Sequence, residues 1–261
     1  MTGAPHHSTV RGARLAWTES GSGPPALWAH GLTASATGAQ PPGPFDWSPL
    51  EGEHRLIRYD ARAHGNSTGD AIPEQYTWPN LALDLLDLLN RAAGTEPASG
   101  IGASMGTATL LYAAVAQPGR FRRLVLTTPP TAGQTRARHV AGYRDGAALI
   151  EREGMAAFEA AAGPLPPVLT GIVQTPSPPS VPRSLLPSVL RGAALSDLPP
   201  AAALAAIDVP VLVLAWSGDD GHPLSTARYL AAIIPSARLV TADTPGQVRC
   251  WPKVVAAFLR T

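Results

Sequence analysis

Six short apolar runs, at 24–30, 54–59, 97–103, 122–128, 208–216 and 237–242, recur along the chain with stretches between them too long for hairpin turns. Strands joined in that way lie parallel in one sheet, with the connections crossing over as helices. Residues 78–93 fit such a helix: Leu81, Leu85, Leu88 and Leu89 share one face, while Asp84, Asp87 and Arg91 fall elsewhere. Pro79 suits its first turn and Gly94 its stop. Residues 107–116 form a second helix ended by Pro118, and a last one carries Val254, Val255, Phe258 and Leu259 on its core face. Residues 9–19 read as one further strand, set off from 24–30 by a Gly-Ser-Gly turn. The expected class is α/β, a mostly parallel central sheet with helices on both faces.

The chain has 261 residues, of which 45% are apolar and 15% charged. At this size a fold buries roughly 70–75% of the unfolded surface and needs no covalent staple. A formal charge of +1, with Lys253 the only lysine and the arginines scattered, gives no basic face for nucleic acid or a membrane surface. Cys250 is alone, which excludes an intrachain disulfide and a CxxC metal site, and a buried, inert thiol is expected there. Met1–Ser8 lack the pattern of a secretory leader, and no apolar run is long enough to span a bilayer. These features suggest a cytoplasmic protein acting on a small molecule, with no metal and no cofactor; His6 and His7 are expected to lie in a mobile start.

Between 130 and 207 the rhythm changes: residues 135–161 look helical, and 163–188 are Pro-rich, with PLPP and PSPPS, so they cannot form a central strand. An insertion of this length in a compact α/β domain is more often a lid than a plain linker. The expected division is a core of 1–129 and 208–261 interrupted by a helical, Pro-rich cap at 130–207.

The strongest local signal is Gly102-Ala103-Ser104-Met105-Gly106, a G-x-S-x-G match between a strand and a helix. A reversal that sharp brings the flanking backbone so close that a Cβ is not tolerated, which explains glycine at both ends. It also lifts the Ser104 hydroxyl to a helix N-terminus, where negative charge is favoured. A dinucleotide loop does not fit: Met105 stands where the third glycine of G-x-G-x-x-G belongs, and no acid follows about 20 residues later for a ribose.

With the elbow, His30-Gly31 after an apolar strand, Asp60-Ala61-Arg62-Ala63-His64-Gly65-Asn66-Ser67, and Gly218-Asp219-Asp220-Gly221-His222-Pro223, the chain resembles the α/β-hydrolase superfamily over about 24–128 and 208–260. The resemblance implies Ser104 as nucleophile and the backbone N–H groups of Leu32 and Met105 as an oxyanion hole. It also implies structural roles for His30 and the 60–67 loop, in which Ala63 replaces the usual glycine. The acid of the family follows the next-to-last strand, which selects Asp219 over Asp220.

The family's histidine follows the last strand, and here that place reads Thr244-Pro245-Gly246-Gln247, with no histidine after His222. Glutamine cannot take a proton near neutral pH. Three explanations stand side by side: His222 supplies the imidazole from the acid's own loop; the fold is kept for binding or a non-hydrolytic step; or the usual histidine has been substituted. The first explanation gives a serine hydrolase of a small, mostly apolar ester, thioester or lactone using Ser104, Asp219 and His222; the second gives a non-catalytic ligand-binding protein or a cofactor-free lyase or cyclase. Trp28, Trp216 and the Met105 side chain are candidates for an apolar substrate floor.

Overall fold

The structure, a computed structural model, describes residues 5–36, 44–173 and 178–260. Its eight strands are β1 (His6–Val10), β2 (Ala13–Ser20), β3 (Pro25–Ala29), β4 (Arg55–Tyr59), β5 (Ala98–Ala103), β6 (Phe121–Thr127), β7 (Val211–Trp216) and β8 (Ala237–Ala242). They form one sheet in the order β1-β2-β4-β3-β5-β6-β7-β8. Strands β3 to β8 run parallel, while β1 and β2 pair antiparallel at one edge. The expected α/β class is therefore what the chain adopts.

Residues 9–19 are not one strand. The chain turns at Arg11-Gly12, both with positive φ (45° and 83°), and β1 folds back on β2. His6 and His7 lie in β1, and the His6 ring packs on Trp17 at 4.6 Å, so they are not a mobile start. A two-residue turn with φ > 0 at both positions matches the right-handed twist of a hairpin.

Strand alternation divides the core. Leu27, Ile57, Leu124, Leu126, Val211 and Val213 face the layer of α1 (Trp78–Ala93), α2 (Met105–Ala116) and, further along, α6 (Ala201–Ala205) and α7 (Leu224–Ile233). Ala26, Trp28, Leu56, Val125, Leu212, Leu214 and Trp216 face the opposite layer, with α8 (Pro245–Arg249) and α9 (Trp251–Arg260). Parallel strands covered on both faces explain the continuous apolar runs. Helix α1 has the predicted bounds, with Pro79 in its first turn and Gly94 (φ 58°) as its cap. Asp84, however, is buried, where it takes two hydrogen bonds from Arg62 (2.8 and 3.0 Å) and one from Arg11 (3.0 Å). That pair moors the 60–67 loop to α1.

The helical stretch expected at 135–161 breaks at Gly154 (φ 92°) into α3 (Gly133–Glu153) and α4 (Met155–Ala160). The Pro-rich segment holds only a short 3-10 turn at Pro167–Leu169 before α5 (Leu186–Ala194), and PSPPS falls partly outside the described residues. Helices α3 and α5 pack with the 3-10 turn at Pro73–Tyr76 around their own apolar cluster of Tyr76, Ala147, Ile150, Val181, Leu186, Val189 and Leu190. Arg136 of α3 is buried there over the Trp78 ring (4.2 Å), donating to the Ser196 carbonyl (2.8 Å) and to the Ala193 carbonyl. Among the described residues no helix is long and apolar enough to cross a membrane.

Candidate active site

The elbow geometry follows from its glycines. Ser104 has φ 52°, a left-handed conformation that costs an L-residue free energy. A Cβ on Gly102 would lie 2.6 Å from the backbone of Gly106, and one on Gly106 would run into the Ala29 and His30 carbonyls of the β3 end. Ser104 N–H donates to the Thr127 carbonyl (3.1 Å). The buried Thr107 hydroxyl lies 3.0 Å from both the Gly102 and Thr127 carbonyls, and Thr127 donates its own hydroxyl to Gly102 (2.8 Å). The strained turn is thus held from three sides, and the serine is the cap residue of the twelve-residue helix α2.

Facing it is the turn after β7. His222 Nε2 lies 2.8 Å from Ser104 Oγ, and His222 Nδ1 lies 2.8 Å from Asp219 Oδ2. An ionised carboxylate only accepts, so Nδ1 carries the proton and Nε2 is free to accept from the serine hydroxyl. The Gly221 amide donates to Asp219 Oδ1 (2.9 Å) and the Trp216 indole N–H to Oδ2 (2.7 Å). Burial pushes the Asp219 carboxyl up, but the hydrogen bond and charge of His222, then the Trp216 and Gly221 donors, outweigh it and hold it at about 2. It is therefore ionised wherever a neutral imidazole can act. Asp220 makes no part of this chain of contacts.

Gln247, at the place usual for the histidine, is exposed and bound to its own helix end. Its Oε1 accepts from the Asp243 and Thr244 amides (2.7 and 3.1 Å), while Thr244 caps the Gln247 amide (3.4 Å). This is a reciprocal cap of α8, and Thr244-Pro245-Gly246-Gln247 carries its T-x-x-Q signature.

The loop after β3 approaches the serine from the other side: a Cβ on Gly31 would lie 3.5 Å from Ser104 Cβ. Leu32 follows it, half-buried between the main core and the α3–α5 cluster. Met105 is the first residue of α2, so no carbonyl one turn earlier in the helix takes its N–H. The Met105 side chain is buried in the core, and Trp28 packs between Phe45 and Trp47, each at 5.5 Å. Trp216 is 4% exposed and stacked on Trp251. All three side chains, read as candidates for a substrate floor, are buried in core packing, and the Trp216 donor, three residues before Asp219, carries no signal in the sequence.

The cap segment reaches this loop through its backbone. Ser180 donates its N–H to the Thr33 carbonyl (2.7 Å) and accepts from the Gly65 amide (2.7 Å). On α3, the His139 ring lies 3.9 Å from where a Cβ on Gly221 would stand, placing this helix against the Asp219–His222 turn.

His30 and His64 behave as scaffolding. His30 Nε2 accepts from the Ala61 amide (3.0 Å) and its Nδ1 lies 2.8 Å from the Gly31 carbonyl; His64 Nδ1 lies 2.8 Å from the Arg62 carbonyl. Burial holds the His30 imidazole below its ordinary range, and burial, then the neighbouring His30, pushes His64 down to about 3. Ala63, where the resembling loop carries glycine, has φ 65°, which accounts for that glycine. The linkage has a definite sign: imidazoles kept neutral in the fold bind protons more readily when unfolded. The urea midpoint should accordingly fall as pH drops from about 6.5 toward 3, and His64→Asn should flatten part of that slope; an unchanged slope would remove His64 as its source.

Cys250 is exposed rather than buried. Among the described residues no group of three or more histidine, cysteine or acidic side chains could hold a metal ion.

A model of the Alpha/beta hydrolase family matches residues 26–252. A curated relative, 3-oxoadipate enol-lactonase 1 of Acinetobacter baylyi (strain ATCC 33305 / BD413 / ADP1), is 33% identical over 114 residues, a match spanning 42% of this chain and 40% of the relative's length. Among solved structures, the enol-lactonase from Burkholderia xenovorans LB400 superposes with a TM-score of 0.79 at 23% identity, covering 98% of this chain and 100% of that one. A thermophilic esterase from Thermogutta terrifontis (malate bound) gives 0.74 at 22% identity, covering 99% and 97%.

Proposed function

Because this chain belongs to the alpha/beta hydrolase family, we propose that it hydrolyses a small, mostly apolar carboxylic ester, thioester or lactone, with Ser104 as nucleophile, His222 as base and Asp219 as the acid that orients it. The observation that carries this is the unbroken chain from Ser104 Oγ to His222 Nε2 and from His222 Nδ1 to Asp219 Oδ2, each 2.8 Å. That distance suits direct proton transfer.

As Ser104 Oγ adds to the carbonyl carbon, its proton passes to His222 Nε2 and Asp219 faces the resulting imidazolium. The carbonyl oxygen becomes an oxyanion, held by the Leu32 and Met105 amides at the positive end of α2. Collapse expels the alcohol or thiol, which takes the proton from His222; in a lactone the leaving oxygen stays tethered to the acyl group. Water then adds to the acyl-serine with His222 as base, releasing the acid and restoring the hydroxyl. The segment 130–207 acts as a cap that shapes the pocket and excludes water. The 33% identity to a protein named as an enol-lactonase supports a cyclic ester among the substrates.

A fluorophosphonate probe tests the nucleophile. Wild-type protein should label at one site, and Ser104→Ala should lose both the label and ester turnover. Unlabelled wild-type protein that still binds carbonyl ligands would replace this proposal with a non-catalytic binder on the same fold.

A further inference from the structure

Asp219 shares one short turn with the base it orients, and such a turn leaves the carboxylate free to rotate about its own bond unless other donors fix it. Two do. The Gly221 amide holds Oδ1 at 2.9 Å, and the Trp216 indole holds Oδ2 at 2.7 Å, on the same oxygen that faces His222 Nδ1.

The indole is itself immobile. Trp216 ends β7, and strand alternation sends its ring to the α9 side with Leu212 and Leu214. There it lies nearly parallel to Trp251 (centroids 5.4 Å, planes 5° apart) and to Phe45 (5.9 Å, 21°), while its edge meets the His222 ring at 87°. Trp251 opens α9, directly after Cys250 at the C-terminal end of α8, the helix whose N-terminal cap engages Gln247. A buried N–H deprived of its acceptor is costly, so the stacked ring and the carboxylate fix each other.

We propose that Trp216 is the positioning residue of the acid–base turn, aiming the Asp219 carboxylate at His222, with Trp251 bracing it. The C-terminal segment, which supplies the histidine in the resembling family, here contributes a brace instead. This rests on the hydrolase reading of Ser104, His222 and Asp219.

Trp216→Phe keeps a stacking ring and deletes the donor. On a p-nitrophenyl ester, kcat should fall about tenfold with KM within about twofold, because the effect lies on proton transfer and not on binding. Without the indole the carboxylate is free to turn away from the imidazolium and stabilises it less, so the acid limb of the pH–rate profile should move downward. The other ionisable groups at the turn, Asp220, His139 and Arg136, are untouched by the substitution. A merely structural tryptophan would lower stability without moving that limb. An unmoved limb with kcat preserved overturns the proposal.

Should the variant fail to fold, the wild-type protein decides. One of the six tryptophan indole N–H resonances should lie downfield and move as activity titrates. If none moves, the link is absent. Turnover that survives Ser104→Ala would sink the hydrolase reading instead, and the indole measurement, which needs no turnover, would still judge Trp216.

Discussion

His222→Ala should lower kcat on an activated ester by about 10⁴-fold or more while the protein keeps its unfolding free energy within about 1 kcal/mol. Among the described residues the imidazole is the group placed within hydrogen-bond distance of Ser104 Oγ to take its proton, and its second nitrogen is committed to Asp219. What survives should be the contribution of the backbone donors and binding, which alone give about 10³–10⁴ over water. The complementary experiment is Gln247→His in the same background. Position 247 is exposed and serves the α8 cap, so a histidine there should leave the activity unrecovered and cost the helix roughly 1 kcal/mol for the lost cap. Recovery of turnover on adding a histidine at 247 would show that the base belongs after β8, and full activity in His222→Ala alone would remove the imidazole from the mechanism.

The largest structural effect is expected at Gly106. A Cβ there would penetrate the Ala29 and His30 backbone; Ala29 ends the central strand β3, paired on both sides, and His30 follows it directly with its ring tied to the Ala61 amide, so neither carbonyl can easily swing aside. Gly106→Ala must therefore push the start of α2 away from β3. That displacement parts Ser104 and Met105 from the Gly31–Leu32 loop, so stability and chemistry fail together. The expected cost is about 3 kcal/mol or more, at the upper end for overpacking, read as a drop in urea midpoint at unchanged m-value. Gly142→Ala on α3 is the control: nothing lies within 4 Å of its Cβ, and replacing an interior helical glycine should stabilise by roughly 0.5–1 kcal/mol. A Gly106→Ala protein as stable as the wild type would disprove the close approach of α2 to β3.

The parallel sheet was legible because each buried strand is an apolar run bounded by a turn or cap, and α1 because Pro79 and Gly94 mark its ends. The elbow was legible because its glycines answer a local steric demand. The edge hairpin was missed because Arg11 is no turn former, and only Gly12 signals the reversal. Helical periodicity sets Asp84 off the leucine face but does not show its burial, because its partner Arg62 lies 22 residues away. Trp28 and Trp216 were read by size and neighbourhood, while their places are fixed by rings from Phe45 to Trp251 that meet only in the fold. His222 could be suggested from the acid loop, but its approach to Ser104 spans 118 residues and no local pattern encodes it.

Asp219 and His222 stand three residues apart on one turn, tied by the His222 amide to the Asp219 carbonyl at 3.2 Å as well as through their side chains. Such a pair travels as one rigid piece. Aiming error then accumulates at a single junction, the gap to the serine, whereas carriers on separate loops must be kept aligned at two. On the proposed mechanism, thermal swaying of the turn interrupts proton delivery, yet it does not part the imidazole from its counter-ion.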